Sequence, residues 1–427
     1  MKKGLKSLSV VLLSVLAMVG CGDNSDSNAE TGGSKPSTFK AGFITIGDES
    51  EGYSEAHING IKAAQQKLGL SDSQILMKKK VDESNDAKVA AEDLVASGCT
   101  LIVSNSYGHQ SFMAEVAQEY PDVQFVSATG DFAAISGINN LSNAFTNIYE
   151  ARYLSGIVGG MKLKELIDAG KLTDANKSVE NYKIGYVGAY TYAEVISGYT
   201  AFFLGVKSVV SNVTMEVQFT DSWFDIDKEG NAAETLVNDG CVIIGQHADS
   251  TGAPSKCETL LNNGKVCYSV GYNVDMLHVA PHAALTSSTN NWEVYYEYAM
   301  KTAMEGKKIA TDWSEGLKTN AVGITELGTS VAAGTAEAVA AAEAKIKDGS
   351  FHVFDTTKFT VDNQPLTSHM HDFSFMDFST TPAKVIYQGE TKETVKTEGN
   401  ASYVEESVIR SAPYFDIKID GITWLNK

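Results

Sequence analysis

The chain has 427 residues, a formal net charge of −19 at pH 7 and a hydrophobic fraction of 43%. Because this length exceeds what a single hydrophobic core usually supports, two domains are expected. The negative charge argues against a nucleic-acid partner, since binding to phosphate groups requires a basic surface. The hydrophobic fraction is that of an ordinary globular protein.

Residues 1–20 have the pattern of a secretory signal peptide. Three lysines, at positions 2, 3 and 6, precede an apolar run over residues 8–19 that is too short to cross a bilayer. A small residue directly before a cysteine, here Gly20–Cys21, resembles the bacterial lipobox, although Met18 stands where leucine is usual. We therefore expect cleavage before Cys21 and lipidation of its thiol. The alternative is an ordinary secretory signal with an incidental cysteine.

Residues 21–37 are predicted to be a flexible tether, because no large apolar residue follows Cys21 in this range. A lipidated cysteine, a tether and a globular body would anchor the protein at the outer face of a bacterial cytoplasmic membrane or in the periplasm. No later stretch has the run of apolar residues that a membrane span needs.

From residue 39 the sequence alternates short apolar segments with longer amphipathic ones, which is typical of βαβ units in a parallel sheet. In the first half, strands are predicted at 39–46, 75–81, 99–104 and 123–128, and helices at 54–68, 86–97 and 110–120. In the second half, strands are predicted at 183–187, 214–219, 241–245, 266–270 and 284–286, and helices at 192–209, 225–238, 253–261 and 292–304. The helix predicted between the halves, at 148–166, contains three glycines, which indicate close packing against another element.

Two consecutive α/β halves predict two similar lobes that face each other. The first lobe is predicted to comprise residues 38–147 and about 283–315, and the second residues 148–282 and about 316–427. Beyond residue 328 the alternation is lost. An alanine-rich helix at 330–348 is followed by short predicted strands and an aromatic-rich end, which form an extension of the second lobe.

Polar and aromatic residues recur where the predicted strands end. Ligands of open parallel sheets bind at this edge, where rings can stack on a flat ligand and carboxylates or amides can bond its rim. The candidates are Asp48, Tyr53, Ser54, Asn105 and Thr129 in the first half, and Trp223, Asp249 and Asn273 in the second. The alternative is ordinary loop composition with helix caps, since Ser54 and Asp225 each suit an N-cap position.

The sequence contains no GxSxG, HExxH or P-loop motif, and no dinucleotide-type GxGxxG follows the first strand. His369 and His371 could ligate a metal, but histidines two residues apart in a polar loop are more often solvated, so neither a metal nor a cofactor is expected. The cysteines after Cys21 show no zinc-type spacing. Cys257 and Cys267 are a candidate disulfide in an oxidising compartment, and free thiols are the alternative.

Five segments resemble the basic membrane protein family of substrate-binding lipoproteins for ABC transporters, whose best-understood members are purine nucleoside receptors. They are DESEGYSEAHINGIKAA (48–64), FTNIYEARYLSGIVGGMKL (145–163), KIGYVGAYTYAEVISGYTAFFLGV (183–206), VQFTDSWFD (217–225) and QHADSTGA (246–253). The resemblance implies an α/β fold of the type I periplasmic binding protein kind. Two Rossmann-like lobes with parallel sheets, joined by a hinge of several crossing strands, would close over the ligand.

In the family, one aromatic residue stacks on each face of the ligand's base. The resemblance assigns these roles to Tyr53 and Trp223, and it places Ser54 where the family usually has asparagine. Thr129 lies where nucleoside receptors have an aspartate that reads the base, and Asn290 lies where the family has a lysine. The rim implied for the site comprises Asp48, Asn105, Thr129, Asp249, Asn273 and Asn290.

The sequence therefore predicts the lipid-anchored, extracytoplasmic substrate-binding protein of an ABC importer. The expected ligand is a small planar compound, a purine nucleoside or a relative of one, and the expected partner is an ABC permease. The protein is expected to be a monomer and not an enzyme. Two alternatives remain: a sensor lipoprotein that reports to a membrane receptor, and a secreted hydrolase on a similar fold, against which the absence of a positioned nucleophile and base argues.

Overall fold

The computed structural model describes residues 39–377 and 384–427. The predicted signal peptide (1–20), Cys21 and the tether (21–37) lie outside the described residues. Among the described helices, none combines the length and the apolar character that crossing a bilayer requires.

The first α/β unit alternates strands and helices as predicted. Its elements are β1 (Ala41–Ile44), α1 (Gly52–Leu68), β2 (Ile75–Lys78), α2 (Asn85–Ala96), β3 (Leu101–Ser104), α3 (Gln110–Glu119), β4 (Gln124–Ala128), α4 (Ala133–Ser136) and β5 (Leu141–Thr146). Strands β1 and β3 are fully buried because helices cover both faces of a parallel sheet. The sequence did not predict β5, whose residues are also all buried.

The second unit repeats the alternation after a long connecting helix. Its elements are α5 (Ile148–Asp168), β6 (Lys177–Ser178), β7 (Asn181–Gly188), α6 (Ala193–Val209), β8 (Val213–Phe219), α7 (Ile226–Asn238), β9 (Ile243–Gln246), α8 (Gly252–Asn262), β10 (Tyr268–Tyr272) and β11 (Ala284–Asn290). Helices α5 and α6 approach closely at two glycines. A Cβ atom on Gly205 would lie 2.2 Å from the carbonyl oxygen of Tyr153, and one on Gly156 would lie 2.2 Å from that of Phe202. The close packing predicted for α5 is thus confirmed.

The remaining elements include five that pack on or pair with the two units, and several short hairpin strands. They are α9 (Trp292–Met304), β12 (Asp312–Glu315), β13 (Val322–Ile324), α10 (Thr335–Lys347), β14 (Met370–Asp372), β15 (Phe375–Asp377), β16 (Lys384–Tyr387), β17 (Thr391–Glu393), β18 (Val395–Glu398), β19 (Ala401–Val404) and β20 (Ile422–Trp424). The five that contact the units are α9, β12, β13, α10 and β20. We call residues 349–427, which follow α10, the C-terminal extension.

Two sheets form the centres of the two lobes, and both are parallel except that β13 and β6 run antiparallel to their neighbours in the second sheet. The first lobe has the strand order β12-β5-β4-β3-β1-β2, and the second has β13-β11-β10-β9-β7-β8-β20 with β6 paired to β7. Strands β1–β5 of the first unit and β7–β11 of the second follow the same doubly wound order, 2-1-3-4-5. Such a sheet binds ligands at the carboxyl ends of the strands where the winding reverses. These switch points lie between β1 and β3 and between β7 and β9.

The chain crosses between the lobes three times: from β5 to α5, from β11 to α9, and from β12 to β13. The crossings are tied together, because Asn147 N donates to Glu315 O (2.9 Å) and Asn291 N donates to Ala321 O (2.8 Å). Strand β11, which falls in the range predicted for the first lobe, pairs in the second sheet. The α/β class, the two lobes with parallel sheets and the multi-strand hinge are confirmed.

The C-terminal extension is built onto the second lobe. Strand β20 pairs in parallel with β8 and extends the second sheet. Trp424 Nε1 donates to Tyr199 Oη on α6 (2.9 Å), and the rings of Phe354 and Phe415 stack with centroids 4.2 Å apart.

The same extension also contacts the first lobe. Arg410 pairs with Asp131 (3.3 Å), and both side chains are about nine-tenths buried. The backbone N of Ser411 donates to Asp312 Oδ2 on β12 (2.6 Å). The extension therefore touches both lobes on one side of the interlobe space.

The four cysteines of the described residues are buried thiols. A side-chain hydrogen bond with Cys257, together with burial, raises the pKa of the Cys267 thiol. The two residues named as a candidate disulfide thus lie in contact as thiols.

Candidate ligand-binding cleft

A cavity of about 720 Å³ lies between the lobes at the two switch points. Its walls come from the loops after β1, β3 and β4 of the first lobe, the loops after β7, β8 and β9 of the second lobe, and the C-terminal extension. This volume is in the range of small-molecule sites, roughly 300–1,000 Å³.

The start of helix α1 positions Tyr53 in the first-lobe wall. Glu51 is the N-cap of α1, and its carboxylate accepts hydrogen bonds from Tyr53 N (2.9 Å) and Ser54 N (3.0 Å). The Tyr53 hydroxyl donates to the carbonyl oxygen of Asn105 and lies 3.2 Å from Thr129 Oγ1. The ring of Tyr53 packs edge-on against His57, with centroids 4.6 Å apart. These contacts hold the ring at the cavity surface.

Ser54 does not cap α1, so that alternative assignment is wrong. Its hydroxyl accepts hydrogen bonds from Gly47 N (3.0 Å) and from Asn105 Nδ2 (3.4 Å). The Oδ1 atom of Asn105 in turn accepts from Ile46 N (2.9 Å). Ser54 is fully buried behind the cavity wall. Its position therefore stabilises the turn between β1 and α1.

Asp48 and Thr129 lie in the same wall. A hydrogen bond from Lys80, with further hydrogen bonds from Ser50, holds the pKa of Asp48 well below its usual range. Thr129 has a left-handed backbone with φ of 65°, which is uncommon for a non-glycine residue and marks a tight turn at the end of β4.

The second-lobe wall is aromatic. Trp223 follows β8, and its ring centroid lies 5.1 Å from that of Tyr190 and 6.0 Å from that of Tyr192. The next helix is fixed by Asp225, which caps α7 by accepting from Lys228 N (2.9 Å), as one of the cap assignments predicted. The carbonyl oxygen of Trp223 accepts from Asp249 N (2.7 Å), which links the loops after β8 and β9.

A buried cluster under this wall contains Arg152 of α5. Its guanidinium donates to Tyr186 Oη (2.8 Å) and Gln246 O (2.5 Å), and its Nη2 lies 3.2 Å from His247 Nδ1. Because a guanidinium only donates, His247 Nδ1 accepts and the ring proton lies on Nε2. That nitrogen donates to the Glu194 carboxylate (2.6 Å). Burial lowers the pKa of His247, which favours the neutral imidazole. Glu194, which is held by this imidazole, lines the cavity.

Asp249 begins a chain of polar side chains that runs from the cavity to the hinge. Its Oδ1 accepts from Asn273 Nδ2 (2.7 Å), and Asn273 Oδ1 accepts from Asn290 Nδ2 (3.2 Å). Asn290 Oδ1 accepts from the Thr146 hydroxyl. Burial, together with the charge of Glu51, raises the pKa of Asp249 well above its usual range. Asn273 and Asn290 line a separate cavity of about 580 Å³ beside the hinge.

The cleft is strongly acidic. Nine of its lining residues are carboxylic acids and two are lysine or arginine; the acids are Asp48, Glu51, Asp82, Glu83, Asp131, Glu194, Asp249, Asp372 and Asp416. Acceptor groups of this kind suit a neutral or cationic ligand that carries hydrogen-bond donors, and they repel anions.

The C-terminal extension supplies one end of the cavity. Arg410, His371, Asp372, Met376 and Asp416 line it there. Arg410 pairs with Asp131, which also accepts from Gln110 Nε2 (3.2 Å). Burial raises the pKa of Asp131, and the Arg410 charge opposes that rise.

Comparison with known proteins identifies the family. The model for ABC transporter substrate-binding proteins of the PnrA-like type, Bmp, matches residues 43–356. The chain belongs to the Bmp family. Most of the C-terminal extension lies beyond the matched residues.

Several relatives of this Bmp protein are known. A purine-binding protein of Brucella abortus is 29% identical over 74% of this chain and 83% of its own length. A putative ABC transporter glucose-binding protein of Haloferax volcanii is 27% identical over 77% of each chain. The crystal structure of an ABC transporter solute-binding protein from Aeropyrum pernix K1 covers 74% of this chain and 93% of its own, with a TM-score of 0.62 and 15% identity. That likeness shows the fold alone, which is the type I periplasmic binding fold.

Membership of the Bmp family defines the general role of the chain. It is a substrate-binding protein of an ABC transporter and not an enzyme. This role places it outside the cytoplasm, with a small ligand and an ABC permease as its partners. The predictions of family and of a non-catalytic role are confirmed.

Six of the nine residues predicted for the Bmp ligand site lie in the cavity wall: Tyr53, Trp223, Asp48, Asn105, Thr129 and Asp249. Ser54, Asn273 and Asn290 lie behind that wall and support it. Contact with a ligand stays a prediction for all nine. The sequence did not single out Glu51, Glu194 or Arg410. For Glu51 a signal was present, since an acidic residue directly precedes the glycine that begins α1.

Proposed function

We propose that this protein captures a purine nucleoside or a closely related flat compound between its lobes. The observation that carries the proposal is that Tyr53 and Trp223, from opposite lobes, line one cavity together with the buried carboxyl group of Asp249. Rings on two sides suit a planar base, and carboxyl groups suit the N–H and O–H donors of a nucleoside. The name of the Brucella relative supports a purine.

Lobe closure is the proposed mechanism of capture. A ligand that touches Tyr53 and Trp223 at once makes its full set of contacts only when the lobes are closed, so binding shifts the population toward the closed form. The three crossings at the hinge are the segments about which the lobes would turn.

We further propose that the protein is a monomer and is anchored through lipidated Cys21. Labelling of cells with a fatty acid should then mark the wild type and not Cys21→Ala.

A monosaccharide is the second candidate ligand. The acidic wall, with Glu194 and Asp249, suits sugar hydroxyl groups, and aromatic rings also pack against sugars. The name of the Haloferax relative points the same way. The two candidates differ in shape, because a sugar alone does not have a planar base for both rings.

The test is a thermal-shift screen followed by calorimetry on the purified protein in EDTA, with nucleosides, free bases, nucleoside monophosphates and monosaccharides. We expect nucleosides to raise Tm, since a ligand that binds only the folded state stabilises it. Monophosphates should not, because the acidic wall repels them. Trp223→Ala should weaken nucleoside binding at least tenfold, whereas Ile226→Ala, which changes an exposed apolar residue of the same segment, should not.

Two results would contradict the proposal. If no nucleoside or base changes Tm while a monosaccharide does, the ligand class is wrong. If Trp223→Ala binds the true ligand as tightly as the wild type, the stacking role of Trp223 is wrong.

A further inference from the structure

Three side chains that could ligate a metal converge in the C-terminal extension. His369 and His371 are two residues apart at β14, and in an extended strand such residues point to the same side. Asp416 reaches them from a segment 45 residues beyond His371. His369 Nε2 lies 2.7 Å from Asp416 Oδ1, and His371 Nδ1 lies 3.0 Å from Asp416 Oδ2. The three ligand atoms lie within 4.8 Å of one another.

The spacing of these atoms is close to that of a zinc site. With Zn–N and Zn–O bonds of about 2.0–2.2 Å, neighbouring ligands of a tetrahedral ion stand about 3.3 Å apart. To admit the ion, the two imidazole–carboxylate distances would need to open by about 0.3–0.6 Å. The two imidazole nitrogens, which lie within 4.8 Å of each other, would need to adopt the same spacing.

The surrounding residues hold the cluster in place. Strand β14 pairs with β17, and His369 N donates to Glu393 Oε1 (2.8 Å). The ring of His371 packs against Phe373, with centroids 4.8 Å apart, and its side chain is 9% exposed. A site preorganised in this way pays little ordering entropy when an ion binds.

We propose that His369, His371 and Asp416 bind one divalent transition-metal ion, with Zn²⁺ as the reference ion. Two imidazoles and one carboxylate suit Zn²⁺, Co²⁺ or Ni²⁺ rather than the oxygen-preferring Mg²⁺ and Ca²⁺. Three protein ligands leave a further coordination position open. Because His371 and Asp416 line the cleft, the ion stands in its wall, within the part of the chain that lies beyond the family match.

The sequence alone favours solvated histidines here, because nothing in it places Asp416 beside the pair. The metal site does not depend on the proposed nucleoside ligand. It extends the function by giving the cleft a Lewis acid that can bind water or a donor atom of a ligand.

The test uses the purified, untagged protein. Metals are first removed with EDTA, and the EDTA is then removed by dialysis. We expect calorimetry with Zn²⁺ to show one site per chain, and Co²⁺ to give visible d–d bands of a site with nitrogen and oxygen ligands. His369→Ala, His371→Ala and Asp416→Asn should each lower Zn²⁺ affinity at least tenfold. The matched control is His282→Ala, which removes the histidine of an isolated His282–Glu258 pair (2.6 Å) and should leave affinity unchanged.

Folding of the variants is checked by their melting temperatures in EDTA. His369→Gln, at the more exposed position, keeps the test valid if the variants of His371 or Asp416 unfold. Zn²⁺ should raise Tm of the wild type and not that of a folded variant. If Zn²⁺ binds only weakly and at several sites, it is an adventitious ion only, and the proposal is overturned. Equal Zn²⁺ affinity in the wild type and the three variants would also overturn it. Because the nucleoside screen is run in EDTA, its failure is distinguishable from failure of the metal site.

Discussion

Burial controls the protonation of Glu406, which holds the C-terminal extension against helix α6. Its carboxyl group accepts hydrogen bonds from the Ser197 hydroxyl (2.8 Å) and from Tyr414 N (3.3 Å). Burial raises the pKa of Glu406 from its ordinary value of 4.5 to about 8. Between these pH values the folded state therefore keeps a proton that the unfolded state releases.

We expect Glu406→Gln to flatten the pH dependence of stability. In the wild type, the contribution of this proton is fully present below about pH 4.5 and is lost as the pH rises through about 8. The uncharged amide avoids that loss, which is on the order of a few kcal/mol. Urea unfolding at several pH values across this range measures the difference.

A suitable control for this comparison is Glu390→Gln, whose native side chain is 80% exposed and which should follow the wild type. Parallel stability curves for Glu406→Gln and the wild type would show that the carboxyl group of Glu406 is not proton-linked to folding.

At the scale of residues, the sequence predicted well which side chains after the strands line the cavity, and it predicted poorly the hydrogen-bond networks behind them. The positions of Tyr53 and Trp223 in the cavity wall could be predicted, because an aromatic ring in a loop directly after a strand is seldom needed for the hydrophobic core. The contact of Arg152 with His247 could not, because it joins residues 95 positions apart. The side chain of Asn290 supports the hinge side of the site through a similarly distant partner, Thr146.

At the scale of elements, the contact between α5 and α6 depends on glycine. Gly156 and Gly205 let the two helices approach so closely that each helix touches backbone atoms of the other. A side chain at either position has no room, because the atom it would meet is a backbone carbonyl oxygen that cannot move aside.

Gly205→Ala should therefore destabilise the protein by about 1–3 kcal/mol, the usual cost of overpacking. The effect runs against helix propensity, since alanine is the better helix former by roughly 1 kcal/mol. The free energy of unfolding in urea measures it. Gly323→Ala on β13, where an added Cβ meets no atom within 4 Å, is the matched control. A variant as stable as the wild type would mean that α5 and α6 can separate without cost.

Elements whose apolar residues recur at regular spacing could be predicted from the sequence, and elements that depend on tertiary contacts could not. The predicted bounds of α9 agree with the structure at both ends, because its apolar residues recur with helical spacing. Strand β5 reads LSNAFT and has no strand pattern, yet every residue is buried between β4 and β12. Within the aromatic-rich end, only β20 is a strand.

At the scale of the whole molecule, the C-terminal extension is a fourth connection between the lobes. The ion pair of Arg410 with Asp131 is a buried contact of the extension with the first lobe, and it lies in the cleft wall. Removing one partner of such a pair leaves a charge without compensation in a buried site.

We expect Arg410→Met to lower stability by about 3–5 kcal/mol, because the Asp131 carboxylate would remain buried and unpaired. Asp131→Asn in the Arg410→Met background should restore part of that loss. A double-mutant cycle from urea unfolding yields the coupling between the two side chains. Additive effects of the two single changes would mean that the pair does not join the extension to the first lobe.

Strand β20 has a consequence for the order in which the protein can fold. It covers the edge of β8, and Asn426, just beyond β20, bonds Phe219 across 207 residues of sequence. A ribosome makes β8 long before residues 422–424 exist, so during synthesis the second sheet has an unpaired edge, the kind that recruits other strands. The second lobe therefore completes its folding after the first. In a chain shortened to residues 43–356, which match the family model, the edge of β8 would stay unpaired after folding.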